Sequence, residues 1–430
     1  MSEYRILILA YDFPPNESIG GQRPWFWTKH LHEHDIYPVV ITRHWNNNIA
    51  TAIECAKPSD NKVTSDDRQK THHIIRLPFR PGLRDRILTR YGMHQMRGLR
   101  KVLSFCINIG EHIMLPVGDK YFIYKEARRR LIDLNVDAIL ATGEPFILHT
   151  YARKLGKKYN KPVILDYRDG WTSNQEQNKP SFLQQVVGRL HKSCERKNIS
   201  GAQMITAASP SYLKKIPKNR KKSQERRVIY NGFDWGVLEH LKEQPPNDVF
   251  TIAYAGRFYD YQRLDTFLEG MRLFITHNSG AKIKAVFYGL SFYPEMVKRL
   301  LSYHQSLTPH LEVTARLPYN NVMNRLHSAD TLLLLSAPGA EWLSAKVFDY
   351  LPHRKPILFV ENDRGVLERI LRETNLGVPC DNAQEVERSL ADLYALWQTK
   401  GSVQHEEQAL AYTRQAGTQE LACALKRILT

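Results

Sequence analysis

Short apolar runs bounded by turn residues alternate with longer stretches of helical periodicity along the whole of this chain. That alternation constrains the fold more than any other feature, because strands joined through helices lie parallel and are covered on both faces. In the first half the strand-like runs are Arg5–Ala10, Pro38–Thr42, Ile74–Leu77, Ala138–Thr142, Pro162–Asp166, Met204–Ala207 and Val228–Tyr230. The polar, proline-containing stretch Lys242–Asp248 then breaks the pattern and reads as an interdomain linker. A second series follows at Phe250–Ala255, Ile283–Tyr288, Leu311–Ala315, Thr331–Leu335, Pro356–Val360 and Gly377–Cys380. The expected architecture is α/β, with two doubly wound, Rossmann-like domains. The first spans residues 1–241 and the second 249–404, and 405–430 is a C-terminal helix free to pack back on the first.

A chain of 430 residues has ample surface to bury two such cores. No apolar run approaches the ~20 residues of a membrane-spanning helix, and the first, at Arg5–Ala10, is too short for a signal peptide. Cys55, Cys106, Cys194, Cys380 and Cys423 are odd in number and scattered, which fits neither a disulfide framework nor a zinc site and points to a reducing cytoplasm. The formal net charge of +17 implies anionic partners, whether nucleic acid, anionic lipid or phosphorylated substrates. The excess is concentrated in two segments, Arg76–Lys101, where only Asp85 opposes eight cations, and Lys214–Arg227, where only Glu225 does. Neither carries interleaved aromatics at an RNA-binding spacing, so a basic nucleic-acid-binding protein is the alternative of a different class and nucleic acid is not the expected partner.

The densest chemistry lies in residues 332–360. The apolar run Leu332–Leu335 leads through a small-residue loop into a helix and then a second strand ending at Val360. Glu341 sits in the loop and Asp349 eight positions later, about 12 Å along the axis if everything between is helical. Ser344, Ala345 and Lys346 fall at the helix start, where unpaired N–H groups and the helix dipole favour an anion. One carboxylate for sugar hydroxyls, a seat for a diphosphate and a second carboxylate for a ribose make a nucleotide-sugar cradle. Upstream, Gly256-Arg257 ends a strand and leads through Gln262-Arg263 into a helix, which sets a cation against a helix start and suits the same diphosphate. In the first half, Gly20-Gly21-Gln22-Arg23 forms a strand-to-helix turn through which a ligand can approach the backbone. Asp166, Arg168 and Asp169 follow an apolar strand at its carboxyl end, where open α/β sheets bind ligands. Glu144 and His149 lie after the preceding strand.

Taken in order, these motifs resemble the retaining glycosyltransferases of family 4. Glu341 to Asp349 is similar to that family's E-x7-E element, with Asp in place of the second Glu. Pro14-Pro15…Gly20-Gly21 resembles its opening loop, and Asp166-Tyr167-Arg168-Asp169-Gly170-Trp171 the Asp-(Phe/Tyr)-Arg-Asp-x-Trp signature of a bacterial branch. Tyr230-Asn231-Gly232-Phe233-Asp234 resembles the Asn-Gly turn that closes its first domain. The resemblance covers nearly the whole chain, except residues 78–115. It implies a GT-B-type fold, two Rossmann-like domains facing a cleft, and transfer of a sugar with retention from a nucleotide sugar to a lipid-linked or other saccharide acceptor in bacterial surface polysaccharide synthesis. Glu341, Asp169 and Arg257 are the catalytic candidates, Asp169 standing where relatives place a His against the transferred sugar. Gly20, Gly21, Gly256, Arg257, Arg263, Leu317, Ser344, Ala345, Lys346 and Asp349 are donor-side, Leu317 lying in the loop that receives the base. Arg23, Glu144, His149 and Arg168 are acceptor-side.

No cofactor or metal is expected: no Asp-x-Asp element occupies a donor loop, and Arg257, Arg263 and Lys346 can neutralise the leaving diphosphate. A nucleotide-sugar 2-epimerase of the same fold is the alternative among enzymes. The segment Phe79–Tyr91 mixes Leu83, Ile87, Leu88 and Tyr91 with Arg80, Arg84, Arg86 and Arg90, the pattern of an interfacial amphipathic helix. It predicts peripheral attachment to an anionic membrane surface, on the cytoplasmic face.

Overall fold

The computed structural model describes residues 4–16, 19–47, 51–172, 182–219, 223–241, 245, 247–340, 342–399 and 408–430. It divides into two compact units, Met1–Tyr230 with Gly417–Thr430, and Asn231–Ala416. The boundary therefore falls at Tyr230, ahead of the expected linker at Lys242–Asp248. Residues 231–234 go with the second unit because Phe233 and Thr413 form a bridge, with Phe233 N–H donating to Tyr412 O at 3.1 Å and Arg414 N–H to Phe233 O at 2.8 Å. Gly232 makes this possible: its φ is +62°, and a Cβ there would stand 2.9 Å from the Arg414 nitrogen.

The first unit holds eight strands: β1 Tyr4–Leu9, β2 Ile36–Arg43, β3 Ser65–Arg68, β4 His73–Leu77, β5 Ala138–Gly143, β6 Val163–Tyr167, β7 Met204–Ala207 and β8 Glu225–Val228. Their order is β3-β4-β2-β1-β5-β6-β7-β8, parallel except for the β3–β4 pair. Ile6, Leu7, Ile8 and Leu9 of β1 and all of β5 are buried, the near-continuous apolar strands of a sheet covered on both faces. The edge strands β3 (Ser-Asp-Asp-Arg) and β8 (Glu-Arg-Arg-Val) are polar. No apolar run marks β3, because an edge strand protects itself with charge, and β8 begins at Glu225, ahead of the expected run at Val228–Tyr230. The helix Arg414–Leu429 begins later than the expected 405, and its Leu421, Ala422 and Leu425 pack with Ile6, Ile8 and Ile164 on one face of this sheet.

The second unit is a six-stranded, all-parallel sheet: β9 Phe250–Ala255, β10 Ile283–Tyr288, β11 Leu311–Val313, β12 Thr331–Leu335, β13 Ile357–Val360 and β14 Gly377–Cys380. The order is β11-β10-β9-β12-β13-β14. Chain order reverses between β1 and β5 in the first sheet and between β9 and β12 in the second. Ligands of open α/β sheets bind at the carboxyl ends of such switch points.

Candidate active site

Each sheet has its own constellation at its switch point. At the first, Asp12 follows β1, Glu144 follows β5, and Arg168 and Asp169 follow β6. Arg168 binds these loops together: Nε donates to Gly143 O at 2.5 Å, and Nη2 to Glu144 O at 2.7 Å and to the Asp12 carboxylate at 3.4 Å. Gly20 lies in the first turn of the helix Ile19–His30, where a Cβ would stand 1.7 Å from Arg168 Nη1 and 2.9 Å from Asp12 Oδ2. Gly21 is buried against the backbone of Asp12 and Phe13. The two glycines thus admit the protein's own chain and guanidinium, inside a helix rather than in the loop expected.

Burial raises the Asp12, Glu144 and Asp169 carboxyls above the ordinary range. The Asp169 charge adds to the effect on Glu144, while the Arg168 charge opposes it at all three. Glu144 and Asp169 are exposed, so three carboxyls with raised proton affinity share one cation on an accessible edge. Asp12 was not among the sequence candidates. The signal for it is positional: it lies at the carboxyl end of β1, beside the switch point.

Arg23 and His149, expected on the acceptor side, are interior residues. The Arg23 guanidinium grips Asp166 in a two-pronged pair at 2.8 and 3.1 Å and donates to the carbonyls of Ile229 and Tyr230. Both members are buried, and Asp166 also accepts from Thr142 Oγ1 at 2.8 Å and Thr206 Oγ1 at 2.6 Å. His149 is fully buried, its Nε2 3.1 Å from Asp166 O, and burial lowers its pKa to about 4, which keeps it neutral. A packed aromatic group (Phe146, Tyr167 and Trp171) surrounds it, with Phe146 and Trp171 stacked at 5.2 Å.

At the second switch point, Gly256-Arg257 follows β9, and the short helix Lys346–Tyr350 follows β12. Two hydrogen bonds knit them, Ala255 N–H to Tyr350 Oη at 3.2 Å and Lys346 Nζ to Arg257 O at 3.0 Å, and Tyr254 Oη to Arg257 O at 3.0 Å fixes the turn after β9. Lys346 Nζ also lies 5.3 Å from the Tyr254 ring centroid. Burial lowers the Lys346 pKa to about 8, an effect that Asp349 opposes and Arg257 reinforces. Arg257 is exposed and lies over the Tyr259 ring at 4.5 Å, Nη2 donating to the Tyr259 hydroxyl at 2.8 Å. Gly256, with φ +79°, is exposed, and a Cβ there would be 3.9 Å from Lys346 Nζ.

The helix begins only at Lys346, after Ala345, and runs five residues, so the all-helical spacing between the two acids does not apply. Ser344 and Ala345 are half-buried and lead into its first turn. Glu341 lies outside the described residues. Asp349 is half-buried and accepts from Tyr319 Oη at 3.1 Å. Burial raises its pKa, against the hydrogen bond and the charges of Arg414 and Lys346. Arg263 is exposed just before the helix Leu264–His277, its backbone N–H on Ser336 O at 3.2 Å. Gln262 is buried and donates to Leu335 O at 2.7 Å, fixing the loop to β12. Leu317 is half-buried in the stretch after β11. Among the described residues, no group of three or more His, Cys, Asp or Glu side chains is placed to hold a metal ion.

No family model and no curated protein sequence matches this chain. Solved structures do. Sucrose-phosphate synthase from Thermosynechococcus elongatus aligns over 99% of both chains at 13% identity and a TM-score of 0.61. HepE from Anabaena, in complex with UDP, covers 98% of this chain with 100% of its own at 11% identity and a TM-score of 0.56. The UDP-forming α,α-trehalose-phosphate synthase from Burkholderia xenovorans, in complex with glucose-6-phosphate, gives 98% and 100% at 9% identity and a TM-score of 0.54. At such identities the likeness is one of fold: this chain has the GT-B-type fold, with two Rossmann-like domains.

Proposed function

We propose that this chain is a glycosyltransferase that moves a sugar from a nucleotide sugar to a saccharide acceptor, with retention at the anomeric carbon. The observation that carries the reading is the pair of cations at the second switch point, Arg257 and Lys346, joined through the Arg257 carbonyl at 3.0 Å. Two neighbours of the same fold are described with UDP and with glucose-6-phosphate, which supports a donor of the nucleotide-sugar class and a saccharide acceptor. In this reading Arg257, Lys346 and Arg263, with the backbone at Gly256, Ser344 and Ala345, hold the diphosphate. Leu317 flanks the base, Asp349 takes the ribose hydroxyls and Glu341 grips the sugar. Gly20 and Gly21 shape the loop that carries Asp12 and admits Arg168. Asp169 and Glu144 receive the acceptor, and Arg168 holds the loops that carry them.

The bond from the anomeric carbon to the diphosphate breaks, its electron pair leaving with the phosphate oxygen. The acceptor hydroxyl attacks from the same face and its proton passes to that oxygen. No metal is needed in this scheme, because two or three cations meet the charge that develops. The acceptor we propose is lipid-linked, in bacterial surface polysaccharide synthesis, which the excess of basic residues supports.

The test is incubation of the purified protein with a panel of nucleotide sugars. One donor is expected to raise the melting temperature and to be slowly hydrolysed to nucleoside diphosphate and free sugar. An epimerised sugar as product, or no stabilisation by any donor, overturns the reading. The same hydrolysis is expected to persist in excess EDTA. Loss on chelation with recovery on adding magnesium or manganese removes the metal-independent scheme.

A pH effect follows from Lys346. The ammonium form holds an anion, and its pKa of about 8 in the free protein means the proton is lost as pH rises through that value. Nucleoside diphosphate affinity is therefore expected to be level below pH 8 and to fall by up to about tenfold per pH unit above it. Lys346→Met flattens this profile. Calorimetric titration between neutral pH and about pH 9.5 reads it, and an unchanged slope in the variant overturns the assignment.

A further inference from the structure

Between β4 and β5 the chain forms three helices, Leu83–Tyr91, Arg97–His112 and Lys120–Leu134, and the first two bear on the membrane question. The sequence pattern places the membrane-facing helix at Phe79–Tyr91. The structure uses that helix differently: Ile87 and Leu88 are buried, and Arg84 Nε donates to Ser104 Oγ at 2.7 Å, fastening it to its partner helix. Leu83 and Tyr91 at its two ends stay exposed, and the uncovered apolar surface continues along the connector and the second helix. Of the eighteen most exposed large apolar side chains among the described residues, eight lie between Leu83 and Leu115. Leu99, Val102 and Cys106 recur at helical spacing, all exposed, and Ile113 continues the line just past the helix end. Met93 and Met96 extend it at the other end, at 49% and 44% exposure.

The charge around this face has one sign. Arg90, Arg97 and Lys101 are exposed beside it, while Asp85 is paired with Arg84 at 3.0 Å and Glu111 is buried against Lys120 at 3.1 Å. A second copy of the chain would bring like cations together across a two-fold interface. A nucleic acid would neutralise the cations and leave the apolar line in water. An anionic bilayer satisfies both, apolar side chains entering the acyl boundary and cations meeting headgroups. We propose that the Arg97–His112 helix, with residues 92–96, is a docking face for an anionic lipid surface.

The far end of the same helix is built into the edge that carries Asp169. His112 lies 6.0 Å from the Trp171 ring and 4.7 Å from His191, and Asn108 Oδ1 is 3.0 Å from His191 Nε2. Lys120 passes the contact on to Asp119, at 3.4 Å, and Asp119 accepts from the Tyr11 hydroxyl, next to Asp12. The C-terminal end of the helix thus packs beside Trp171, two residues after Asp169 of the carboxyl cluster. This part rests on the transferase reading: a lipid-linked acceptor presents its hydroxyl there without leaving the membrane.

The experiment is flotation of the full chain with vesicles of phosphatidylglycerol and phosphatidylcholine, and of phosphatidylcholine alone. Recovery is expected with the anionic vesicles only, and release at high salt. Arg90→Gln/Arg97→Gln/Lys101→Gln is expected to lower partitioning about fivefold per charge, about a hundredfold for three. Leu99→Glu/Val102→Glu is expected to abolish it, with an unchanged thermal melt. If that pair fails to fold, the charge variant alone decides. Equal flotation with neutral lipid, variants that float like the parent, or binding of a mixed-sequence RNA instead of vesicles overturns the proposal. So does a concentration-dependent dimer that Leu99→Glu/Val102→Glu dissolves. Donor hydrolysis measured without vesicles reports on the transferase reading separately. Flotation lost with hydrolysis intact removes only the docking face, and the converse removes only the transferase.

Discussion

Asp166→Ala is expected to destabilise the chain by about 3–5 kcal/mol, a large share of the ~5–15 kcal/mol that holds an ordinary domain folded. The reason is what remains behind. The Arg23 guanidinium, 5% exposed, would keep its charge with only the Ile229 and Tyr230 carbonyls to face it, and Thr142 and Thr206 would lose their acceptor. Arg23→Ala is expected to cost a similar amount for the mirror-image reason. The double variant Arg23→Leu/Asp166→Leu should be less damaging than either single one, because it leaves no buried charge unpaired. The pair also carries a pH dependence. Burial alone would raise the Asp166 pKa, but the Arg23 charge and the hydrogen bonds from Arg23, Thr206 and Thr142 outweigh it and hold it below the ordinary value. A depressed folded-state pKa stabilises above the unfolded value of about 4 and is lost as pH falls below it. Urea unfolding at neutral pH and near pH 3 reads both effects. Singles as stable as the parent would show the pair is not the internal tie the geometry describes.

Arg257→Ala and Glu341→Gln are each expected to lower turnover of the nucleotide sugar by at least about a hundredfold, the scale of losing one transition-state charge contact. The argument for Arg257 is structural. It stands at the carboxyl end of β9 with its carbonyl fixed by Lys346, and its side chain is held over Tyr259 at 4.5 Å yet exposed. A cation so held stabilises charge without reorganising. Arg257→Lys should recover only part of the loss, since an ammonium cannot present two parallel donors. For Glu341 the argument is its place in the sequence, three positions before Ser344 in the loop that follows β12. Single-turnover rates with the donor identified by thermal shift decide the matter. Near-parental rates in both variants would remove the donor-site assignment.

The sequence carried the fold class well because its signal is local. β1, β5, β9 and β12 are mostly apolar, as buried parallel strands are, and each is followed by turn chemistry within a few residues. β3 escaped it, and β8 starts at Glu225 rather than at Val228, because an edge strand need not be apolar. The cations of the second switch point were legible for the same local reason: Gly256-Arg257 and Lys346 each adjoin a strand end or a helix start. Of the apolar residues read into an amphipathic helix at Phe79–Tyr91, Ile87 and Leu88 are buried while Leu83 and Tyr91 stay exposed, since periodicity records an apolar face without saying what covers it.

Partners of charged groups are a different kind of fact. Arg23 and Asp166 are 143 positions apart, and only the sheet order that puts β1 and β6 on either side of β5 turns a presumed ligand contact into a sealed internal pair. Asp12 joins Glu144, Arg168 and Asp169 for the same reason, from three separate strand ends. Sequence by itself determined which segments are buried, and so the two Rossmann-like sheets and the chemistry at their strand ends. Tertiary structure alone decided which of those charges face one another and which face outward. Burial is a property each residue's own type prefers, whereas an ion pair depends on where a distant stretch of chain arrives.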